Sequence, residues 1–180
     1  MDRRVTIELS GADGTKQTHE VARGGCADPH SSLDPLGLTL DDGKMLLASV
    51  QRRLVQARAA EFSALRRRCS HCRVLRPLKD TRTRRLNSLF GTVEVQAPRF
   101  KPCRCAIAVR STLSPASELM PDRCTPEYER TLAKMGAWLP YRRARRFLSE
   151  FFPIGDDPPC HETIRRRTAR VGAGLEGEIL

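Results

Sequence analysis

Thirty residues separate two close cysteine pairs, Cys69-x2-Cys72 and Cys103-x-Cys105. This bracket restricts the fold more than any other feature of the chain. Thiolates two or three residues apart can share one tetrahedral ion, and two such pairs supply the four ligands Zn²⁺ prefers. Between the pairs lies a candidate hairpin. Gly91-Thr92 matches a Gly-X two-residue turn. With Phe90 opposite Val93, one face carries Leu86, Ser88 and Phe90 against Val93, Val95 and Ala97. A lone hairpin of this size is marginally stable, and a metal tying its open ends would hold it. The segment is expected to be a zinc ribbon, with structural Zn²⁺ on Cys69, Cys72, Cys103 and Cys105. Cys103-x-Cys105 is tighter than the usual spacer. Arg73 stands where knuckles commonly carry glycine. His71 is expected to be a bystander, and Cys26, Cys124 and Cys160 have no partner at ligand spacing.

Charge is concentrated in the same segment. Residues 66–110 hold thirteen basic residues against Asp80 and Glu94, a local excess equal to the net charge of the whole chain, +11. Self-repulsion of this size opposes compaction unless an anionic partner offsets it. Arg dominates, and its planar fork suits phosphates and guanine edges. Arg82, Arg84, Arg85, Arg99 and Lys101 are the candidate DNA contacts here. The expected partner is double-stranded DNA. No signal peptide is legible and no apolar run approaches the ~20 residues that span a bilayer. A cytoplasmic, DNA-associated protein without a membrane partner is therefore expected, with thiols kept reduced.

The fold class expected is α+β. Residues 3–22 read as a hairpin, with turn chemistry at Ala12-Asp13-Gly14-Thr15, and 23–38 as a linker. A long helix over about 40–67 starts at a Thr39/Asp42 capping pair. Its expected stripe is Leu47, Val50, Leu54, Ala57 and Phe62/Leu65. Residues 106–124 read as loop. Thr125-Pro126-Glu127 opens a helix with Tyr128, Leu132, Met135 and Leu139 on one side. A helix over about 141–152 and another from Cys160/His161 to about Glu176 read as a helix-turn-helix, whose second helix enters the major groove in proteins of that type. Thr163, Arg166, Arg167 and Arg170 are its candidate DNA contacts. Three units follow: 1–38, hairpin and linker; 39–110, long helix and ribbon; 111–180, helical region.

The pattern resembles the ISKra-type insertion-sequence transposases. The pieces that carry it are LGLTLDDGKMLLASVQ at 36–51, Cys69-x2-Cys72, LNSLFGTVEVQAPRF at 86–100, Cys103-x-Cys105, LMPDRCTPEYERTLAKMGAWLPY at 119–141 and TIRRRTARVGAGLE at 163–176. The resemblance implies a protein that binds the ends of its own mobile element. It also implies an RNase H-like catalytic domain working by two-metal phosphoryl transfer, C-terminal to the matched region and outside this chain.

Two other readings compete. A zinc-ribbon/helix-turn-helix regulator would use the same parts on an operator, and homo-oligomerisation is open in either case. An enzyme in its own right would need a nucleophile such as Cys160 beside His161, but adjacent helical side chains point apart. Asp156, Asp157 and Glu162 sit in a short turn and a helix start with no scaffold to converge them. No catalytic residue is expected in this chain.

Overall fold

The computed structural model describes residues 2–11, 14–25, 37–105, 112–154 and 158–179. Among the described residues, two antiparallel hairpins and five helices give a mixed α and β fold. The first hairpin pairs β1 (Asp2–Ser10) with β2 (Lys16–Gly25), with an irregularity between Val5 and Thr6. Gly14 takes φ +80°, the left-handed turn conformation that glycine adopts without steric cost. The rest of the expected turn, Ala12 and Asp13, lies outside the described residues, as does most of the expected linker. Pairing continues to Gly25, three residues beyond the expected end.

Helix α1 (Leu40–Arg67) has the expected limits. The Thr39 hydroxyl accepts from the Asp42 amide at 3.1 Å, and the Asp42 carboxylate accepts from the Thr39 amide at 3.0 Å. These bonds satisfy two of the amides that a helix start leaves without partners. At the other end the Arg76 guanidinium donates to the Arg66 carbonyl at 2.8 Å, a cation at the negative pole of the helix. The packed stripe differs from the expected one. Leu47, Leu54 and Leu65 are exposed, and Val55, Ala59 and Ser63 face the sheet. Small side chains at 59 and 63 let the helix lie close to the sheet, which larger leucines would not.

The second hairpin pairs β3 (Leu78–Ser88) with β4 (Gly91–Phe100). Its register corrects the expected one. Leu86 pairs with Val93 and Ser88 with Gly91, so Leu89-Phe90 forms the turn rather than Gly91-Thr92. The turn moves by two positions and the partner of Val93 by four, an even shift, so Leu86, Val93, Val95 and Ala97 still face inward. Two interactions favour this turn. The Ser88 hydroxyl donates to the Gly91 carbonyl at 2.8 Å and accepts from the Phe90 amide at 3.2 Å. Leu89 and Phe90 are drawn into the helical core, where a solvated Gly-Thr tip would bury nothing. Gly91 takes φ +105°, and a Cβ there would meet the Pro153 carbonyl at 3.0 Å.

One core lies between α1 and the hairpin: Ala59, Leu86, Val93, Val95, Ala97, Ala116 and Met120. Ala116 belongs to α2 (Pro115–Leu119), a single turn inside the stretch expected to be loop. The second core gathers α3 (Pro126–Trp138), α4 (Tyr141–Phe151) and α5 (His161–Ile179) around Leu132, Leu148 and Ile164, with the hairpin tip inserted among them. Burying each of these three side chains contributes roughly 2 kcal/mol. Thr125 caps α3, accepting from the Tyr128 amide at 3.2 Å, ahead of a proline in the first turn. Among the described residues no helix is long and apolar enough to cross a membrane.

Helices α3 and α5 approach closely at Gly136. A Cβ there would stand 2.3 Å from the Thr168 hydroxyl oxygen and 3.0 Å from an Ile164 methyl. Gly136→Ala is therefore expected to destabilise the chain by about 2 kcal/mol in urea unfolding, as overpacking does. Gly172, in the same α5 with open space around it, is the contrast. Gly172→Ala should stabilise by about 0.5–1 kcal/mol through helix propensity.

Candidate metal centre and basic surfaces

The four cysteines of the bracket meet at the root of the second hairpin. Their sulfurs all lie within 4.8 Å of one another. Cys69 Sγ is 3.3 Å from Cys103 Sγ and 3.6 Å from Cys105 Sγ, and Cys103 and Cys105 are 2.9 Å apart. Around a tetrahedral ion with Zn–S bonds of about 2.3 Å, sulfurs stand about 3.8 Å apart. The donor set is thus gathered at nearly the scale of one ion and can hold a metal. His71 is not among the four clustered donors.

Local backbone geometry builds the first pair. The Arg73 amide donates to the Cys69 carbonyl at 3.0 Å, and the Cys69 amide donates to the Val74 carbonyl at 3.0 Å. This tight loop places Arg73 at φ +60°. A non-glycine residue there costs about 1–2 kcal/mol, so the loop takes the conformation glycine would favour without having glycine. The second pair follows directly from β4, where the Lys101 amide donates to the Pro77 carbonyl at 2.9 Å.

The electrostatics suit a cation. Amides of Cys72 and His71 and the Cys103 thiol point at the Cys69 sulfur, the Cys72 amide contributing most, and lower its pKa to about 6. The Cys105 thiol is pushed up, first by Cys103 and then by Cys72, because neighbouring thiolates cannot all ionise without a positive charge among them. Binding a metal deprotonates such thiols together.

The basic residues fall into two groups. Several are held within the molecule. Arg84 donates to the Ser117 hydroxyl at 2.8 Å and to the Met120 carbonyl, fastening α2 to β3. Arg99 forms a two-point pair with Asp80, with Nε to Oδ1 at 2.6 Å. That pair holds the Asp80 carboxyl below its ordinary range. Arg85 pairs with Glu94 at 3.0 Å, but both side chains are exposed, and such pairs yield readily to another anion. Arg73, Arg82, Lys101 and Arg104 are exposed and form no ion pair among the described residues. Arg82 and Arg84 share the inward parity of β3 with Leu86, whereas Arg85 lies on the opposite face.

The expected α5 contacts divide likewise. Arg167 and Arg170 both bind Glu129 of α3, Arg167 at 2.9 Å, and Arg170 also reaches Asp122. Thr163 lies beside the Cys160 sulfur at 3.2 Å. Arg166 is exposed and forms no ion pair among the described residues. Residues 152–160 separate α4 from α5, a longer connection than the three or four residues of the usual helix-turn-helix. Only Leu139-Pro140 separates α3 from α4. One group of cations was overlooked in the sequence: Arg142, Arg143, Arg145 and Arg146 on α4, all exposed. The signal in the sequence is the two arginine pairs around Ala144.

No family model and no curated protein matches the chain.

Two expectations follow. Removing the metal with a strong chelator, or changing Cys69 or Cys103 to Ser, should lower stability by more than about 3 kcal/mol in denaturant titrations, since site formation and folding are coupled. Cys160→Ser should leave chelator sensitivity unchanged. The second concerns Glu129, 16% exposed. Burial raises its pKa, but hydrogen bonds from Arg170 and Arg167 outweigh this and hold it below the ordinary glutamate range. A lowered carboxyl stabilises the fold above its unfolded pKa and loses that contribution as pH falls through the folded value. Glu129→Gln should therefore destabilise at pH 7, by about 2 kcal/mol for lost hydrogen bonds to charged groups, and the difference from the native chain should shrink below about pH 4.

Proposed function

We propose that this chain is a zinc-stapled module that binds double-stranded DNA, and that it serves a transposase by recognising the ends of its mobile element. The observation that carries the reading is the four-thiol cluster at the hairpin root, with the exposed Arg73, Lys101 and Arg104 next to its cysteines in sequence and in no ion pair among the described residues. Zn²⁺ is the ion proposed because an all-sulfur tetrahedral set selects zinc or iron, and zinc is the usual structural occupant of ribbons. Cys69, Cys72, Cys103 and Cys105 would hold it. Its role is to fix the hairpin ends; no chemistry is assigned to it.

Arg73, Arg82, Lys101 and Arg104 then contact phosphates directly, and Arg85 joins by exchanging Glu94 for phosphate. These contacts position the protein without reading sequence. Base reading falls to the start of α5, where Thr163 and Arg166 are available. Arg84, Arg99, Arg167 and Arg170 support the surface through their internal bonds. Assignment to element ends rests on the resemblance to ISKra-type transposases.

Fluorescence anisotropy of the zinc-loaded chain, on DNA from the two sides of its own gene and on scrambled DNA across a salt series, tests this reading. Tighter binding to the flanking DNA is expected. Arg166→Ala should reduce that preference by about 1–3 kcal/mol. Arg82→Gln with Arg104→Gln should weaken all duplexes and flatten the salt slope by about 0.9 per lost phosphate contact. Equal binding to both DNAs would remove the element-end role, and no binding would remove the function.

A further inference from the structure

We propose that α4 is a second phosphate-binding surface, formed by Arg142, Arg143, Arg145 and Arg146, which grips the duplex backbone beside the DNA contacts of the hairpin module. The inference rests on the DNA-binding reading and extends it to α4, the first helix of the expected helix-turn-helix pair, which had no DNA contact assigned to it.

On a helix with 3.6 residues per turn, Ala144 and Leu148 lie on one side, and both are fully buried in the helical core. Arg142, Arg143 and Arg146 project from the opposite side, with Arg145 at its margin. All four are exposed, and none forms an ion pair among the described residues. The acid on α4 is Glu150, which does not pair with any of them. Arg142 has Arg145 and Arg146 at the i+3 and i+4 positions, and Arg143 has Arg146 at i+3. Like charges at these spacings work against a helix. They also stand in the first two turns, toward the positive pole of the helix dipole, where cations are disfavoured.

The contrast with α5 sharpens the point. There Glu162 holds Arg165, and Glu129 and Asp122 hold Arg167 and Arg170. All the arginines of α5 except Arg166 are neutralised internally, whereas the four of α4 stand together without ion pairs among the described residues. An external polyanion accounts for that arrangement. Closely spaced guanidinium groups suit a phosphate chain, where each can take one or two oxygens. An anionic lipid surface is the competing polyanion. The apolar side of α4 is already engaged at Ala144 and Leu148, so an interfacial helix would have only the partly exposed Phe147 and Phe151 to insert.

The test is anisotropy of the full zinc-loaded chain on a duplex across a salt series. It compares the native chain with R142Q/R143Q/R145Q/R146Q and with the corresponding four-lysine variant. Thermal unfolding confirms that each variant folds, as surface changes at these positions should allow. The glutamine variant is expected to show a salt slope flatter by about 3 and affinity at ~0.1 M salt at least 100-fold weaker, while the lysine variant keeps most of the slope. A native chain that binds DNA and a glutamine variant with the same slope would overturn this inference and leave the hairpin reading intact. A native chain that fails to bind DNA would overturn both. Sedimentation with vesicles of anionic lipid covers the alternative. Retention there through the α4 arginines, without DNA binding, would assign the surface to membranes and overturn the proposal.

Discussion

A two-stranded hairpin cannot hold its own open end closed against chain entropy, and in this molecule both cores depend on one such hairpin. Its root ends in four converging thiols, and its tip is buried among three helices. Leu86, Val93, Val95 and Ala97 form one side of the first core, and Leu89 enters the second. The strand pair therefore joins two small cores that would each be marginal alone. Fastening the root with a metal would limit fraying where β3 and β4 meet the ends of α1 and the second cysteine pair. Its stabilisation would then reach both cores through the hairpin.

The arginines show how a strongly basic chain stays folded. Part of the charge is used as structure: Arg76 at the end of α1, Arg84 between β3 and α2, Arg99 on Asp80, and Arg167 and Arg170 on Glu129. A half-buried guanidinium of this kind satisfies carbonyls and carboxylates that would otherwise lack partners. The remaining exposed arginines are the ones available to an external anion. Burial and pairing thus separate structural from interacting cations, a distinction that charge counts cannot make.

Much of the fold was legible because local rules and packing agree. The Thr39/Asp42 box marks the start of α1, and Thr125-Pro126 marks the start of α3. The four cysteines were legible through spacing alone, and the structure gathers them. Other features depended on tertiary partners. Gly91-Thr92 is a reasonable hairpin turn in isolation. The pull of Leu89 and Phe90 toward Leu132 and Leu148, which lie more than forty residues away, moves the turn by two positions. The face of α1 that packs is set by close approach at Ala59 and Ser63, so its leucines misled. Residues 115–119 are too short for any periodicity to mark a helix. The loss of Arg84, Arg167 and Arg170 to internal partners required knowing where Ser117, Met120 and Glu129 stand.

X-ray absorption at the zinc edge on the purified chain tests most directly whether Cys69, Cys72, Cys103 and Cys105 enclose one zinc ion, as proposed. Four sulfur neighbours at about 2.3 Å, at one zinc per chain, are the predicted result. A first shell containing nitrogen or oxygen, or a folded chain that takes up no zinc, would contradict it.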